Sequence, residues 1–465
     1  MGIPSAPPQL SQRAITSTDI VSRLERIPTS GWHVRTRAIV GIATFFDAFD
    51  ALTLAFVLPS LIRTWHLLPG QAALLLSAGF LGQLVGAFSF GGLAERYGRI
   101  PTLVLSVAIF SFASLLCAAA NGFAMLLVFR AVQGVGLGGE VPVAATYINE
   151  LTKSHGRGRF ILLYEIIFPV GLVFAGLLGT WIVPTFGWRY MFLIGALPAI
   201  PTLLMTRLLP ESPRWLLAKG KLTEAQKVVE KIETAVSKNG ARPLPPVRPL
   251  ETVVAQPPTH GRKRFGAELF SPFYRWRTLV IWMLWFCSAF VVYGLVSWLP
   301  TIYSTVFHVP LRDALLFSLT ANLAGLVGTL ACALLIDRTG RRPWFVAAFI
   351  CAGCSLAALA THANSLSAVV AIASISYFFV NSTALALYVY TPECYPTRIR
   401  ALGTSIGTGW QRIASIFSPL IVGSLLMNSA VSAVFWLYCA AAVAGAIVSL
   451  FTTETAGRTL EELSP

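Results

Sequence analysis

The 465 residues carry a formal net charge of +15, yet only 12% are charged and 55% are hydrophobic, with a mean hydropathy of +0.70. That balance excludes an ordinary soluble globular domain, in which about a quarter of residues are charged. The basic excess is spread over short segments between apolar stretches, as juxtamembrane loops require, so no nucleic-acid partner is expected and the lipid bilayer is.

Apolar stretches of the ~20 residues needed to cross a bilayer's hydrocarbon core recur along the chain. In order, twelve spans are predicted over about 38–62, 71–94, 102–121, 124–149, 160–184, 189–209, 278–302, 313–336, 343–361, 366–390, 402–427 and 431–452. The residues before the first contain no short apolar run with a cleavage site, so that span is expected to stay as an anchor. Lys and Arg mark cytoplasmic loops. Only Arg63, Arg189 and Arg312 fall on the side opposite the N-terminus, with Arg130, Arg207 and Arg412 inside spans, so both termini are expected in the cytoplasm.

The spans divide into an N-terminal half at 1–209 and a C-terminal half at 278–465, joined by a polar cytoplasmic linker at 210–277. Within the linker, Leu222, Ala225, Val228, Val229, Ile232 and Val236 recur at helical spacing and predict an amphipathic helix. Gly240 to His260 is rich in proline and predicts extended chain. The seven cysteines lie mostly in spans; Cys351 and Cys354 form a CxxC with no second ligand pair, so they are read as packing residues rather than a metal or redox site.

An internal repeat supports the two-half division. Glu95-Arg96-Tyr97-Gly98-Arg99 after the second span returns 242 residues later as Asp337-Arg338-Thr339-Gly340-Arg341 after the eighth. Glu150 precedes Arg157 by seven, as Glu393 precedes Arg400, an offset of 243. Glu211 and Glu454, after the sixth and twelfth spans, are also 243 apart. An acid at a helix end beside an Arg and a Gly turn suits a latch between neighbouring helix ends, so Glu95, Arg96, Arg99, Glu150, Arg157, Asp337, Arg338, Arg341, Glu393 and Arg400 are candidate cytoplasmic gate residues.

On these motifs the chain resembles the major facilitator superfamily, with Glu95 where Asp is usual. The Pro210-Glu211-Ser212-Pro213-Arg214 and Glu454-Thr455-Ala456-Gly457-Arg458 segments resemble the sugar-porter and organic-ion branches. The resemblance implies an all-α membrane protein, with twelve transmembrane helices in two pseudo-symmetric six-helix bundles. It also implies a transporter working as a monomer.

An ionisable residue inside a span costs about 2.5–3.5 kcal/mol on insertion scales and so marks a functional candidate. Asp47 and Asp50 lie three apart in the first span and share a helical face, which makes a proton-coupling role plausible for at least one; the other reading is a pair with a nearby Arg. Arg412 in the eleventh span suits a substrate carboxylate, or else a permanent salt bridge to one of the buried acids. Glu140 closes a Gly-rich run from Gln133 that lacks the strand and spacing of a nucleotide-binding turn; it is a further proton-coupling candidate, whereas Arg130 and Glu165 read as structural. Tyr293, Trp298, Asn322, Tyr377, Asn381, Tyr388, Trp410 and Gln411 complete the candidate substrate site.

Three segments resemble bacterial nicotinate (niacin) permeases more narrowly: Phe46 to Asp50, Gly136 to Ala144, and Thr391 to Gly403. In organic-anion relatives an Arg in the setting that Arg412 to Pro419 matches contributes to anion preference. The resemblance implies proton-coupled uptake of a small aromatic monocarboxylate, nicotinate first, across a bacterial inner membrane. The partners would be an organic anion and protons. A benzoate-type aromatic-acid symporter and a sugar or organic-cation facilitator are the alternatives. With no nucleophile and base constellation and no metal-ligand set, neither an enzyme nor a cofactor is expected.

Overall fold

The computed structural model describes residues 16–28, 30–151, 166–200, 205, 208–239, 244–246, 268–361, 365–427 and 431–456. A backbone amide inside hydrocarbon has no water to bond to, so the apolar runs fold as helices that satisfy their own N–H and C=O groups. Eleven described helices are long and apolar enough to cross a membrane. In the N-terminal half these are α2 (Gly31–Trp65), α3 (Pro69–Tyr97), α4 (Arg99–Ala118), α5 (Phe123–Leu151) and α6 (Ile167–Thr185). The short α7 (Arg189–Gly195) stands where the sixth span begins. Its helix gives way to a turn at Ala196 to Pro198, where proline removes a donor, and helix resumes at Ala199 and Ile200; 201–204, 206 and 207 lie outside the described residues.

The connecting region holds α8 (Pro213–Ala218) and α9 (Leu222–Asn239), the amphipathic helix expected there; Ala225, Val229, Ile232 and Val236 are buried. A helix that hydropathy does not announce, α1 (Ser17–Arg26), begins with a capping box between Thr16 and Asp19. It packs Ile20 and Leu24 into the same apolar cluster as α9. Glu233 of α9 receives Arg23 at 2.5 Å and Arg26 at 2.7 Å, and Arg214 meets Glu25 at 2.6 Å. Most of the proline-rich stretch from 240 to 260 lies outside the described residues.

The C-terminal half consists of α10 (Arg275–Thr305), α11 (Leu311–Thr339), α12 (Arg341–Thr361), α13 (Leu366–Glu393), α14 (Thr397–Met427) and α15 (Val431–Ser449). Packing repeats with the sequence offset: α3 lies on α5 as α11 lies on α13, and α2 on α6 as α10 on α14. Gly134 and Gly138 meet the backbone of α3 at Gly79 and Gln83, while Gly136 faces Phe110 of α4. The Gly-rich run is thus a close-packing surface of a membrane helix, where any Cβ would collide.

Across the halves, α3 packs on α14, α6 on α11 and α2 on α10. The contacts run from mid-depth to the end away from the two loop motifs: the Ser77 hydroxyl donates to the Ile416 carbonyl at 2.8 Å, and Gly423 lies against Pro69 and Ala73.

Candidate functional site

On the loop-motif side of those contacts lies a cavity of about 90 Å³ between the halves, room for several waters or a small ring. Its wall is mostly apolar and aromatic, contributed by α2, α5 and α6 from one half and α10, α11, α13 and α14 from the other. Six expected substrate residues line it: Arg412, Tyr293, Tyr377, Asn381, Tyr388 and Gln411.

Three do not line it. Trp410 packs against Trp282, ring centroids 5.5 Å apart, and against Phe286. Trp298 is buried in the helix core. Asn322 is buried where α11 faces Gly176 of α6 in the other half. Sequence spacing placed these side chains at the right depth but could not assign the face of each helix, because spans apolar all round carry almost no amphipathic signal. The same ambiguity hid Trp285, Ser288, Phe168 and Thr44, which do line the cavity.

Arg412 is half-buried and donates through Nη1 to Oε1 of Gln83, on α3 across the interface. Among the described residues no carboxylate lies within ion-pair distance of it. Gln411 beside it donates to the Tyr293 hydroxyl at 3.3 Å, and Tyr388 meets the Gln411 oxygen at 3.5 Å. Trp285 lies edge-on to Tyr388 at 4.9 Å and donates its indole N–H to Thr391 at 3.0 Å. A guanidinium with spare donors thus shares a cavity with several ring faces, a chemistry suited to a planar aromatic anion.

The two first-span acids have separate surroundings. Asp50 accepts from Arg130 at 2.7 Å and from Gln133 at 2.6 Å, while Gln133 also accepts from Arg130 at 2.7 Å. Asp50, Gln133 and Arg130 are all buried, so the acid of the first span that forms an intramembrane salt bridge here is Asp50, and its partner is Arg130 rather than Arg412. Gln133, which spacing did not single out, completes this cluster. Asp47 is equally buried, lies within electrostatic reach of Arg412, and has no hydrogen-bond partner at Oδ1 among the described residues. Glu140 is fully buried on α5 and accepts the Thr44 hydroxyl at 2.8 Å. Glu165 lies outside the described residues.

At the loop-motif end the repeat becomes two matching clusters. Arg99 holds Glu150 at 2.8 Å and Glu95 at 3.0 Å; Arg341 holds Glu393 at 3.0 Å and Asp337 at 2.8 Å. Gly98 and Gly340, at φ 110 and 89, make the turns between consecutive helices that other residues resist. Glu211 accepts the backbone N–H of Arg99 at 3.0 Å and of Ile100 at 3.2 Å. Glu454 does the same for Arg341 and Arg342, both at 2.9 Å. Each acid therefore caps a helix start, where unpaired N–H groups favour negative charge. Arg96 and Arg338 are exposed and form no ion pair among the described residues. Arg400 donates to the Tyr395 carbonyl at 3.3 Å. Arg157 lies outside the described residues.

The model of the family described as sugar (and other) transporter matches residues 64–465. The chain belongs to that family. Over 452 residues the transporter is 33% identical to the niacin transporter NiaP of Acinetobacter baylyi, covering 96% of this chain and 99% of that protein. It is 30% identical over 416 residues to a gallate transporter of Pseudomonas putida, covering 88% and 89%. It is also 30% identical over 463 residues to the synaptic vesicle 2-related protein of Rattus norvegicus, covering 95% and 82%. In fold it matches the xylose transporter XylE from E. coli in a partially occluded inward open conformation, with a TM-score of 0.72 at 17% identity, over 91% of this chain and 100% of that one. The protein is a multi-pass membrane transporter of the twelve-helix major facilitator fold, not an enzyme.

Proposed function

We propose that the transporter takes up a small aromatic monocarboxylate, nicotinate first, in symport with protons. The observation that carries this reading is Arg412: a guanidinium in a largely aromatic cavity, with Gln83 as its hydrogen-bond partner and no carboxylate within ion-pair distance among the described residues. It would hold the substrate carboxylate through paired hydrogen bonds while the aromatic side chains enclose the ring. Relatives named for niacin and for gallate, both aromatic acids, support the same class.

Asp47 is the carboxylate to carry the coupled proton. It is buried, it lies within electrostatic reach of Arg412, and its Oδ1 is free of the hydrogen bonds that tie Asp50 to Arg130. Protonation of Asp47 would then respond to substrate charge at Arg412, which is the linkage a symporter needs. Glu140, bonded to Thr44 at the cavity wall, is a second carrier. Transport would follow alternating access: the 1–209 and 278–465 halves rock about the site, linked by 210–277. With the basic loops on the cytoplasmic side of a bacterial inner membrane, the arrangement described here opens inward, and a single chain is the transport unit.

Radiolabelled nicotinate uptake into proteoliposomes tests the reading. Uptake is expected to rise with an inward proton gradient and to be competed by benzoate-type acids but not by hexoses or amines. Uptake unaffected by the gradient would remove the symport claim, and competition by hexoses alone would remove the substrate class.

A further inference from the structure

The proposed site leaves a buried polar group on its C-terminal wall unmatched among the described residues. Tyr377 of α13 lines the cavity and is 1% exposed, yet its hydroxyl has no hydrogen-bond partner among the described residues. The neighbouring polar groups are already engaged: Asn381 donates to the Gly325 carbonyl at 3.1 Å and to Thr329 at 3.0 Å, Ser288 bonds Thr383 at 2.7 Å, and Gln411 bonds Tyr293. The Tyr377 ring is held in place by Gly325 of α11, whose missing side chain leaves the space the ring occupies. Its hydroxyl also lies within electrostatic reach of Tyr293, which in turn senses Arg412. A desolvated O–H donor on a side chain that lines a cavity can be satisfied by an acceptor on whatever fills that cavity.

We propose that Tyr377 reads the ring of the substrate: its hydroxyl donates to an acceptor atom on an aromatic acid whose carboxylate is held at Arg412. The inference rests on the aromatic-carboxylate reading and adds to it a specificity-determining residue. The acceptor is either a pyridine nitrogen or a phenolic oxygen. A site that hydrogen-bonds one substrate atom discriminates strongly against an isostere lacking it, because the protein group is then left unpaired. Benzoate, with the same shape and no ring acceptor, is therefore the informative comparison.

The experiment measures binding of nicotinate, benzoate and 3-hydroxybenzoate to the purified full-length transporter and to Tyr377→Phe, which keeps the ring over Gly325. The wild type is expected to bind an acceptor-bearing acid at least about tenfold more tightly than benzoate. In Tyr377→Phe that advantage should fall to within about threefold, with benzoate binding unchanged, which also reports that the variant is folded. Loss confined to nicotinate identifies a ring nitrogen; loss confined to 3-hydroxybenzoate identifies a phenolic oxygen. If the wild type binds benzoate as tightly as both others, or if Tyr377→Phe keeps the wild-type preference, the inference is wrong while the carboxylate reading stands. If the wild type binds none of the three, the carboxylate reading fails and Tyr377 loses its role with it.

Discussion

Arg412 donates a hydrogen bond to Gln83 across the interface between the halves, so the cation proposed to hold substrate also ties α14 to α3. A charge-assisted hydrogen bond contributes about 1.5–3 kcal/mol, so losing even one substrate contact should weaken binding by tenfold or more. Arg412→Ala should abolish saturable nicotinate uptake, and Arg412→Lys should restore it only weakly because an ammonium cannot make the planar pair. Gln83→Ala leaves the guanidinium intact, so its binding constant should stay within a few-fold of wild type while the turnover rate changes. Equal loss of binding in Gln83→Ala and Arg412→Ala would sink the assignment.

Asp50 and Asp47 should separate under substitution. Removing one partner of a buried ion pair typically costs about 3–5 kcal/mol, so Arg130→Ala and Asp50→Ala should lower the melting temperature in detergent sharply. Asp47→Asn removes no ion pair and should melt near wild type while losing the proton-gradient response of uptake. Comparable melting losses in Asp47→Asn and Arg130→Ala would contradict the division of labour.

Asn322 has both side-chain amide atoms buried without a hydrogen-bond partner among the described residues, beside the contact of α11 with α6. An unsatisfied buried polar group costs about 1–3 kcal/mol, so Asn322→Leu should raise the melting temperature of this arrangement and slow transport by holding the two halves together. A lower melting temperature would show that the amide finds its partners here after all.

The two helix caps should respond to pH in opposite directions. Burial opposes the charge of Glu454, but the N–H groups of Ala456, Arg341, Arg342 and Thr455 outweigh it and hold the carboxyl below its ordinary value. Its stabilisation is present above the unfolded value and is lost as pH falls through the folded one. Burial pushes Glu211 above its ordinary value, against the N–H groups of Ser212, Arg99 and Ile100 and the Arg99 charge. Its contribution is present below the unfolded value and is lost as pH rises through the folded one. Acidification should therefore loosen the amides of Arg341 and Arg342 and protect those of Arg99 and Ile100. Hydrogen exchange, corrected for intrinsic rates, reads both; parallel changes would refute the asymmetry. Glu454→Gln should erase the response of the C-terminal cap alone.

The sequence by itself determined the membrane embedding, the positions of eleven of the twelve expected spans, the repeat and the family. These depend on local hydropathy and on motifs compared at a fixed offset, which survive without coordinates. It also placed Arg412, Tyr377 and Asn381 at cavity depth. It missed α1, whose capping box and few apolar residues make too short a pattern to stand out.

Only the tertiary structure decided which intramembrane charges are spent on one another. Asp47 and Asp50 are indistinguishable by spacing, and what separates them is Arg130, 80 residues from Asp50, and Arg412 in the other half. Likewise the loop motif named Arg96 with Arg99 and Arg338 with Arg341, and the guanidiniums that turn inward are Arg99 and Arg341, because Gly98 and Gly340 aim the following helix starts at Glu150 and Glu393. Pairing of charges is a property of helices brought together by packing, and no period along one helix encodes it.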